Sequence, residues 1–303
     1  MSNLEKPLIV IKIGSSSIVK RDESGETVID VGKLVALCQS VKDLMDAGNR
    51  VLIVSSGAVA AGAHVLKMDR PKSSDVKTLS ACAAVGQPQL MKLYSEAAKT
   101  FGFITAQALL MRPDFHNPEA LEKLTGTLET LYKFENVVPI LNENDVTSNA
   151  ELDFGDNDGI AALVAIMLGA QKIIFLTDQD GIMDKDPNKH SDAQLVELIS
   201  EFTSEMVNPN ASKSEFGSGG HGTKVPALDL ATYANPNLVG YVANSNRAGE
   251  LKNIIDGEVP CTKVLVNKNE KLSPEKAYEI FTNMKLASDA NKPYVPVSEF
   301  VTR

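Results

Sequence analysis

Val137-Val138-Pro139-Ile140-Leu141 is a short apolar run that breaks into the amide and acid cluster Asn142-Glu143-Asn144-Asp145. A second cluster, Gly155-Asp156-Asn157-Asp158, opens the apolar stretch that follows. The first run has strand character. The stretch after Asp158 places Ile160, Leu163, Val164 and Met167 at helical spacing and is apolar almost all round, so a buried helix is expected. Acids at a helix N-terminus are favoured by the macrodipole, and Asp156 and Asp158 could be there only to start the helix. That does not explain the earlier cluster at the C-terminal end of a strand, which is where open α/β sheets bind their ligands. Together the two clusters read as a ligand site.

Towards the N-terminus, Leu8 to Ile13 reads as a buried parallel strand carrying one cation, Lys12, and ending in Gly14-Ser15-Ser16-Ser17. Lys12 either reaches water from an edge strand or supplies charge to a phosphate that backbone N–H groups approach past the small residues. Asp30 can cap a helix with Leu34, Leu37, Cys38, Val41, Leu44 and Met45 on its apolar face and Gly48 at its end. Val51 to Val54 is the second strand. It runs through Ser55-Ser56-Gly57-Ala58-Val59-Ala60-Ala61-Gly62 into a helix, a turn that suits either an anion or tight helix packing, with Ser55 and Ser56 the better ligand candidates. Helical spacing resumes near Ser74 and reaches Ala97, and Gly86 and Pro88 are expected to split or kink it. Ile104 to Met111 is a further strand, and Asn117-Pro118 starts a helix lined by Leu121, Leu124, Leu128 and Leu131.

On the C-terminal side, Lys172 to Leu176 is a strand ending at Thr177-Asp178. Asp180, Asp184, Asp186 and Asn188 crowd the next loop without the spacing of an EF-hand, so they read as a solvated turn, with Asp178 the member placed to touch a ligand. Residues 217–224, GSGGHGTK, have Thr223 before Lys224, the reverse of a Walker loop. The segment is either a flexible linker or a clamp that folds over phosphates at the start of a helix containing Val225, Leu228 and Ala231. Lys224 favours the clamp, because a cation at a helix start is unfavourable unless an anion joins it. Val239 to Ala243 and Lys263 to Val266 are the last strands, and residues 268–303 hold one helix, capped by Ser273 and Pro274, and an irregular end. Strands alternating with helices predict an α/β protein with a mainly parallel, helix-covered sheet.

At 303 residues and 43% hydrophobic content the chain can bury one large core or two sharing a sheet. A net charge of −9 leaves no basic stripe, so nucleic acid is not an expected partner. Cys38, Cys82 and Cys261 are odd in number and far apart, which suits reduced thiols in the cytoplasm rather than disulfides or zinc. No apolar run approaches membrane-spanning length and no signal peptide is expected.

Two lysines, two glycine-rich turns and a set of acids, with His64, His116, His190 and His221 in no motif, fit phosphoryl transfer. A hydroxyl acceptor usually needs a base, whereas a carboxylate acceptor, with a pKa of roughly 4.3 for a glutamate side chain, is already ionised at neutral pH. The missing histidine base therefore fits a carboxylate kinase.

IVIKIGSSS (9–17), VLIVSSGAVAAG (51–62), AVGQPQL (84–90), VVPILNENDVTS (137–148), FGDNDGIAALVA (154–165), FLTDQDGIMDKDP (175–187) and GSGGHGTK (217–224) resemble, in order and spacing, the amino-acid kinase family. Within it they resemble the branch that phosphorylates free L-glutamate, over about residues 8–266. The resemblance implies an αβα sandwich around a mainly parallel sheet, a kinase domain at 1–267 whose N-terminal part binds glutamate and whose C-terminal part binds ATP, and a tail at 268–303. It implies that Lys12 and Lys224 hold the transferring phosphoryl group, that Asp158 organises them, and that Gly14 donates its N–H to the phosphates. Ser56, Asp145 and Asn157 would bind glutamate, with anionic Asp145 facing its α-ammonium. Thr177 and Asp178 would contact the nucleotide while Ser218, Gly219, Gly220, His221, Gly222, Thr223 and Lys224 close over it. Mg²⁺ would be held through ATP oxygens, with no metal ligands of the protein's own, and the product would be γ-glutamyl phosphate, the first intermediate of proline synthesis. It also suggests a homo-oligomer, proline as feedback inhibitor and glutamyl-phosphate reductase as partner. Two departures stand out: residues 268–303 are too few for the PUA domain of many bacterial relatives, and His221 replaces a frequent methionine, which is expected to alter the clamp's packing more than its chemistry. Competing readings are an acetylglutamate or aspartate kinase, a non-catalytic amino-acid sensor on the same fold, and the kinase half of a longer bifunctional enzyme.

Overall fold

Every side chain of Leu8–Ile13 (β1) is buried, which five apolar residues in six explain, and the strand lies inside the sheet with parallel neighbours on both sides. The computed structural model describes residues 3–147, 157–185, 187, 189–206, 221–266, 271–289 and 293–301. After β1 come α1 (Ser15–Ile18), the hairpin β2 (Val19–Arg21) and β3 (Thr27–Ile29), α2 (Val31–Asp46), β4 (Arg50–Ser55), α3 (Ala58–Val65) and α4 (Val76–Thr100). Then follow β5 (Ile104–Leu110), a 3-10 turn at Arg112–His116, α5 (Pro118–Leu131), β6 (Val137–Glu143), α6 (Asn157–Met167), β7 (Lys172–Thr177) and β8 (Leu198–Ile199). The chain continues with α7 (His221–Ala234), β9 (Val239–Asn244), α8 (Leu251–Asp256), β10 (Thr262–Val264), α9 (Pro274–Asp289) and α10 (Val297–Val301).

Among the described residues the main sheet has 8 strands in the order β5-β6-β4-β1-β7-β9-β10-β8. The strands from β5 to β9 pair in parallel, and β10 turns antiparallel to β9. The expected αβα sandwich around a mainly parallel sheet is what forms. Alternation along β1 divides its side chains between two cores. Leu8 and Val10 join α5, α6, α7, α9 and α10 on one face, while Ile9, Ile11 and Ile13 join α2, α4 and α8 on the other. Lys12 therefore sits on the α6 and α7 face. Among the described residues no helix is long and apolar enough to cross a membrane.

The caps stand where the sequence places them. Asp30 accepts from the Lys33 N–H at 3.3 Å at the start of α2, and Asn117 accepts from the Glu119 and Ala120 N–H groups ahead of α5. Other expectations need correction. Helix α4 runs unbroken through Gly86 and Pro88, so the expected split does not occur. Gly86 marks a contact rather than a break: a Cβ there would fall 1.9 Å from the Ala58 carbonyl oxygen, and one on Gly62 1.8 Å from that of Cys82, so the two glycines let α3 and α4 touch backbone to backbone. That packing carries the helix past the N–H missing at Pro88. The tail holds two helices, α9 and α10, rather than one helix and an irregular end. The turn after β7 is anchored as well as solvated, since Ile182 is buried and its N–H donates to Thr262 Oγ1 at 2.7 Å. Asp156, Asp186 and Asn188 lie outside the described residues.

Candidate active site

Three buried charges meet at the C-terminal end of β1. Lys12 Nζ lies 2.6 Å from Asp158 Oδ1, and Lys224 Nζ lies 3.6 Å from Oδ2 of the same carboxylate. Thr223 Oγ1 donates to Oδ2 at 2.7 Å. Asp158 stands in the first turn of α6, and Thr223 and Lys224 stand in the first turn of α7, so two helix starts converge on one strand tip. The three charged residues are 4%, 1% and 8% exposed in the order Lys12, Asp158, Lys224. Burial by itself would raise the Asp158 carboxyl, but the two ammonium groups and the Lys12 and Thr223 hydrogen bonds hold it well below the usual carboxylate range. Burial pushes Lys224 below its ordinary value against the pull of Asp158 and, less strongly, of Asp178. The anion that offsets a cation at the start of α7 is thus supplied from within the protein.

An amide chain continues from this cluster. Asn157, the residue before Asp158, donates through Nδ2 to Ser56 Oγ and to Asn142 Oδ1, both at 2.8 Å, and accepts the Glu143 N–H at 3.1 Å. Asn142 Nδ2 donates to Gln87 Oε1 at 2.9 Å, and Gln87 Nε2 donates to Gln107 Oε1 at 2.8 Å. Gln87, Gln107, Glu143 and Asp145 line one cleft of about 500 Å³ together with Ala58 and Met91. Asp145 is 9% exposed; burial, then the neighbouring Glu143, push its carboxyl up to about 7, and Arg70 opposes them.

Thr177 ends β7, one step past the Ile13 to Leu176 pairing, and its Oγ1 donates to Asp178 Oδ1 at 2.9 Å. Asp178 is exposed. A Cβ on Gly14 would sit 3.5 Å from Lys12 Nζ, ordinary contact, so the protein itself leaves room against that ammonium. No group of three or more His, Cys, Asp or Glu among the described residues is arranged to hold a metal ion.

The structure gathers Lys12, Asp158, Thr223 and Lys224 into one cluster, joins Asn157 to Ser56, and sets Thr177, Asp178 and Gly14 at adjoining strand ends. His221 and Gly222 fall in the first turn of α7, with the His221 side chain outside the described part, and Ser218, Gly219 and Gly220 lie outside the described residues. Sequence reasoning placed Asn142 in the polar cluster after the strand without giving it a role, and did not single out Gln87, Gln107 or Arg70. Gln87 and Asn142 stand in the quoted runs AVGQPQL and VVPILNENDVTS, but only strand register and helix packing show that they touch.

The profile of the amino acid kinase family matches residues 7–238. The chain belongs to that family. Among its relatives, a glutamate 5-kinase of Prochlorococcus marinus (strain MIT 9312) is 37% identical over 87% of this chain and 74% of its own length. One from Caldanaerobacter subterraneus is 35% identical over 86% of this chain and 68% of its own. Among solved structures, the Giardia lamblia carbamate kinase bound to AMP-PNP superposes with a TM-score of 0.58 at 16% identity, covering 87% of this chain and 99% of that one. At that identity the likeness shows the amino acid kinase fold alone. Membership in a kinase family brings ATP as the phosphoryl donor.

Proposed function

We propose that the chain transfers the γ-phosphoryl group of ATP to the γ-carboxylate of free L-glutamate, giving γ-glutamyl phosphate and ADP, the first step of proline biosynthesis. The observation that carries this reading is the adjacency of two sites: Asn157 closes the amide chain to Ser56, and the next residue, Asp158, holds both lysines. Relatives named glutamate 5-kinase, similar over most of the chain, supply the acceptor.

In this reaction a γ-carboxylate oxygen of glutamate attacks the terminal phosphorus of ATP. One O–P bond forms, the bond to the β–γ bridging oxygen breaks, and its electron pair leaves with ADP. The carboxylate is already ionised, so no base is required. Lys12 and Lys224 face the charge that spreads over the transferring phosphoryl oxygens, Asp158 holds the two ammonium groups apart and aimed, and Gly14 offers its N–H past a position without a side chain. Among these three charged side chains positive exceeds negative, which favours an anionic substrate. Asp145 takes the α-ammonium, and Ser56 and Asn157 orient the acceptor carboxylate. Thr177, Asp178 and the segment from Ser218 to Lys224 hold the nucleotide. Mg²⁺ would be held through the ATP oxygens, where it would neutralise phosphate charge.

Within the same reading residues 1–267 form the kinase domain, its N-terminal part taking glutamate and its C-terminal part ATP, and the enzyme works in the cytoplasm as a homo-oligomer, with proline as feedback inhibitor and glutamyl-phosphate reductase consuming the product. An acetylglutamate kinase has no α-ammonium for Asp145 to meet, and the named relatives speak against an aspartate kinase. Trapping the acyl phosphate with hydroxylamine tests the assignment: L-glutamate should outpace aspartate and N-acetylglutamate by a wide margin, and equal rates on all three would remove it.

A further inference from the structure

Residues 271–289 and 293–301 lie past the stretch matched to the family, yet they are built into the face that carries the lysine cluster. Phe281 of α9 is 3% exposed and lies against Gly159, the residue after Asp158: a Cβ there would fall 2.4 Å from the ring, so the ring rests on the first turn of α6 itself. On α7, just over one turn past Lys224, Asp229 is buried at 3% exposure. Its Oδ2 accepts from Tyr294 Oη at 2.5 Å and from the Val297 N–H at 2.7 Å. Burial and the neighbouring carboxylate push the Tyr294 phenol far above its ordinary value, so it stays a donor. The Leu272 N–H adds a bond to the Ala234 carbonyl at the far end of α7.

A carboxylate in the middle of an apolar helix face is costly to bury unless hydrogen bonds satisfy it, and here donors come from a segment remote in sequence. Core packing alone would be served by an aliphatic residue at 229. The grip falls on α6 and α7, which carry Asp158 and Lys224; of the acceptor-binding residues Asn157 shares α6, while Ser56 and Asp145 stand outside both helices.

We propose that α9 and residues 293–301 act as a positioning strap for phosphoryl transfer, in which Phe281 fixes the first turn of α6, and Tyr294 and the Val297 N–H fix α7 through Asp229. The strap sets the register in which Lys224 meets Asp158. It rests on the phosphoryl-transfer reading above, and it makes Phe281, Asp229 and Tyr294 positioning residues that never touch substrate.

The test compares three variants of the full chain: Tyr294→Phe, Phe281→Leu, and Val41→Ala, which opens a cavity in the opposite core layer. Each is assayed for turnover with L-glutamate and ATP and for thermal unfolding. Tyr294→Phe lowers kcat about tenfold with the KM for glutamate unchanged, and Phe281→Leu, whose ring also backs the turn that carries Asn157, lowers kcat about tenfold, since small displacements of positioned groups act on the transition state. Val41→Ala lowers the Tm at least as much and keeps kcat. A strap variant that loses Tm but keeps kcat, or one whose kcat falls no more than that of Val41→Ala, overturns the proposal. If Tyr294→Phe does not fold, Phe281→Leu alone decides. A wild-type chain without glutamate turnover contradicts the proposed function instead. The strap is then decided by hydrogen exchange of the α6 and α7 amides, faster in Tyr294→Phe than in Val41→Ala if it holds and equal if it does not.

Discussion

Lys12 and Lys224, far apart along the chain, face the two oxygens of one carboxylate, at 2.6 Å from Asp158 Oδ1 and 3.6 Å from Oδ2. Two buried cations sharing one anion form an arrangement that is costly in the free protein and favourable once a phosphoryl group joins it. Removing Lys224 should therefore act on the chemical step. Lys224→Ala is expected to lower kcat by about a hundredfold to a thousandfold while leaving the glutamate KM within about twofold. Steady-state kinetics in glutamate at saturating ATP check this, and a KM rise with unchanged kcat would place Lys224 in acceptor binding instead.

Asp158→Asn removes the charge that keeps both ammonium groups buried. Breaking a buried ion pair from one side costs about 3–5 kcal/mol, so the variant should lose both activity and a large part of its stability. Urea unfolding at neutral pH measures the second effect. A stable but inactive Asp158→Asn would show that the carboxylate serves chemistry without holding the lysines in place.

Asp145 titrates where an acceptor with an α-ammonium needs it charged. With its carboxyl pushed up to about 7 by burial and by Glu143, the free enzyme holds Asp145 protonated at pH 6 and ionised at pH 8. The apparent KM for glutamate should fall about tenfold across that interval and level off above it, and Asp145→Asn should bind weakly with no such dependence. The sign for stability is opposite. A carboxyl raised in the folded state stabilises most below its unfolded value of 3.8 and loses that contribution as pH rises through about 7. Ligand-free Asp145→Asn should accordingly melt above the wild type at pH 8, with the gap closing towards pH 5. A KM for glutamate that stays flat from pH 6 to 8 would detach Asp145 from the ammonium.

The α3 and α4 contact predicts a steric failure. Gly62→Ala and Gly86→Ala each drive a methyl group into a carbonyl oxygen at 1.8 and 1.9 Å, and backbone cannot rotate aside as a side chain can. Each should cost about 3 kcal/mol or prevent folding. Variants that melt with the wild type would mean that the two helices are not in backbone contact.

What was legible in the sequence follows from period and position. Alternation along Leu8–Ile13 carried Lys12 to the face where α6 and α7 pack, and Asp30, Asn117 and Ser273 announced their helices. Gly86 and Pro88 misled because local rules treat them as breakers, while the reason for Gly86 lies on another helix. The cap of α10 was illegible for the same reason: the Val297 N–H bonds to Asp229, a residue of α7. Strands β2, β3 and β8 are too short to show alternation, and α8 occupies six residues. The amide chain from Ser56 to Gln107 joins the turn after β4 to four separate elements, so no spacing along the chain could have revealed it.

The proposed function requires that this chain phosphorylate the side-chain carboxylate of free glutamate. It is tested most directly by incubating the protein with ATP, Mg²⁺ and hydroxylamine in an equimolar mixture of L-glutamate, L-aspartate and N-acetyl-L-glutamate, and identifying the hydroxamates by mass. The expected result is γ-glutamyl hydroxamate in large excess, matched by ADP release. Predominance of either other hydroxamate, or ADP release that does not depend on any acceptor, would contradict it.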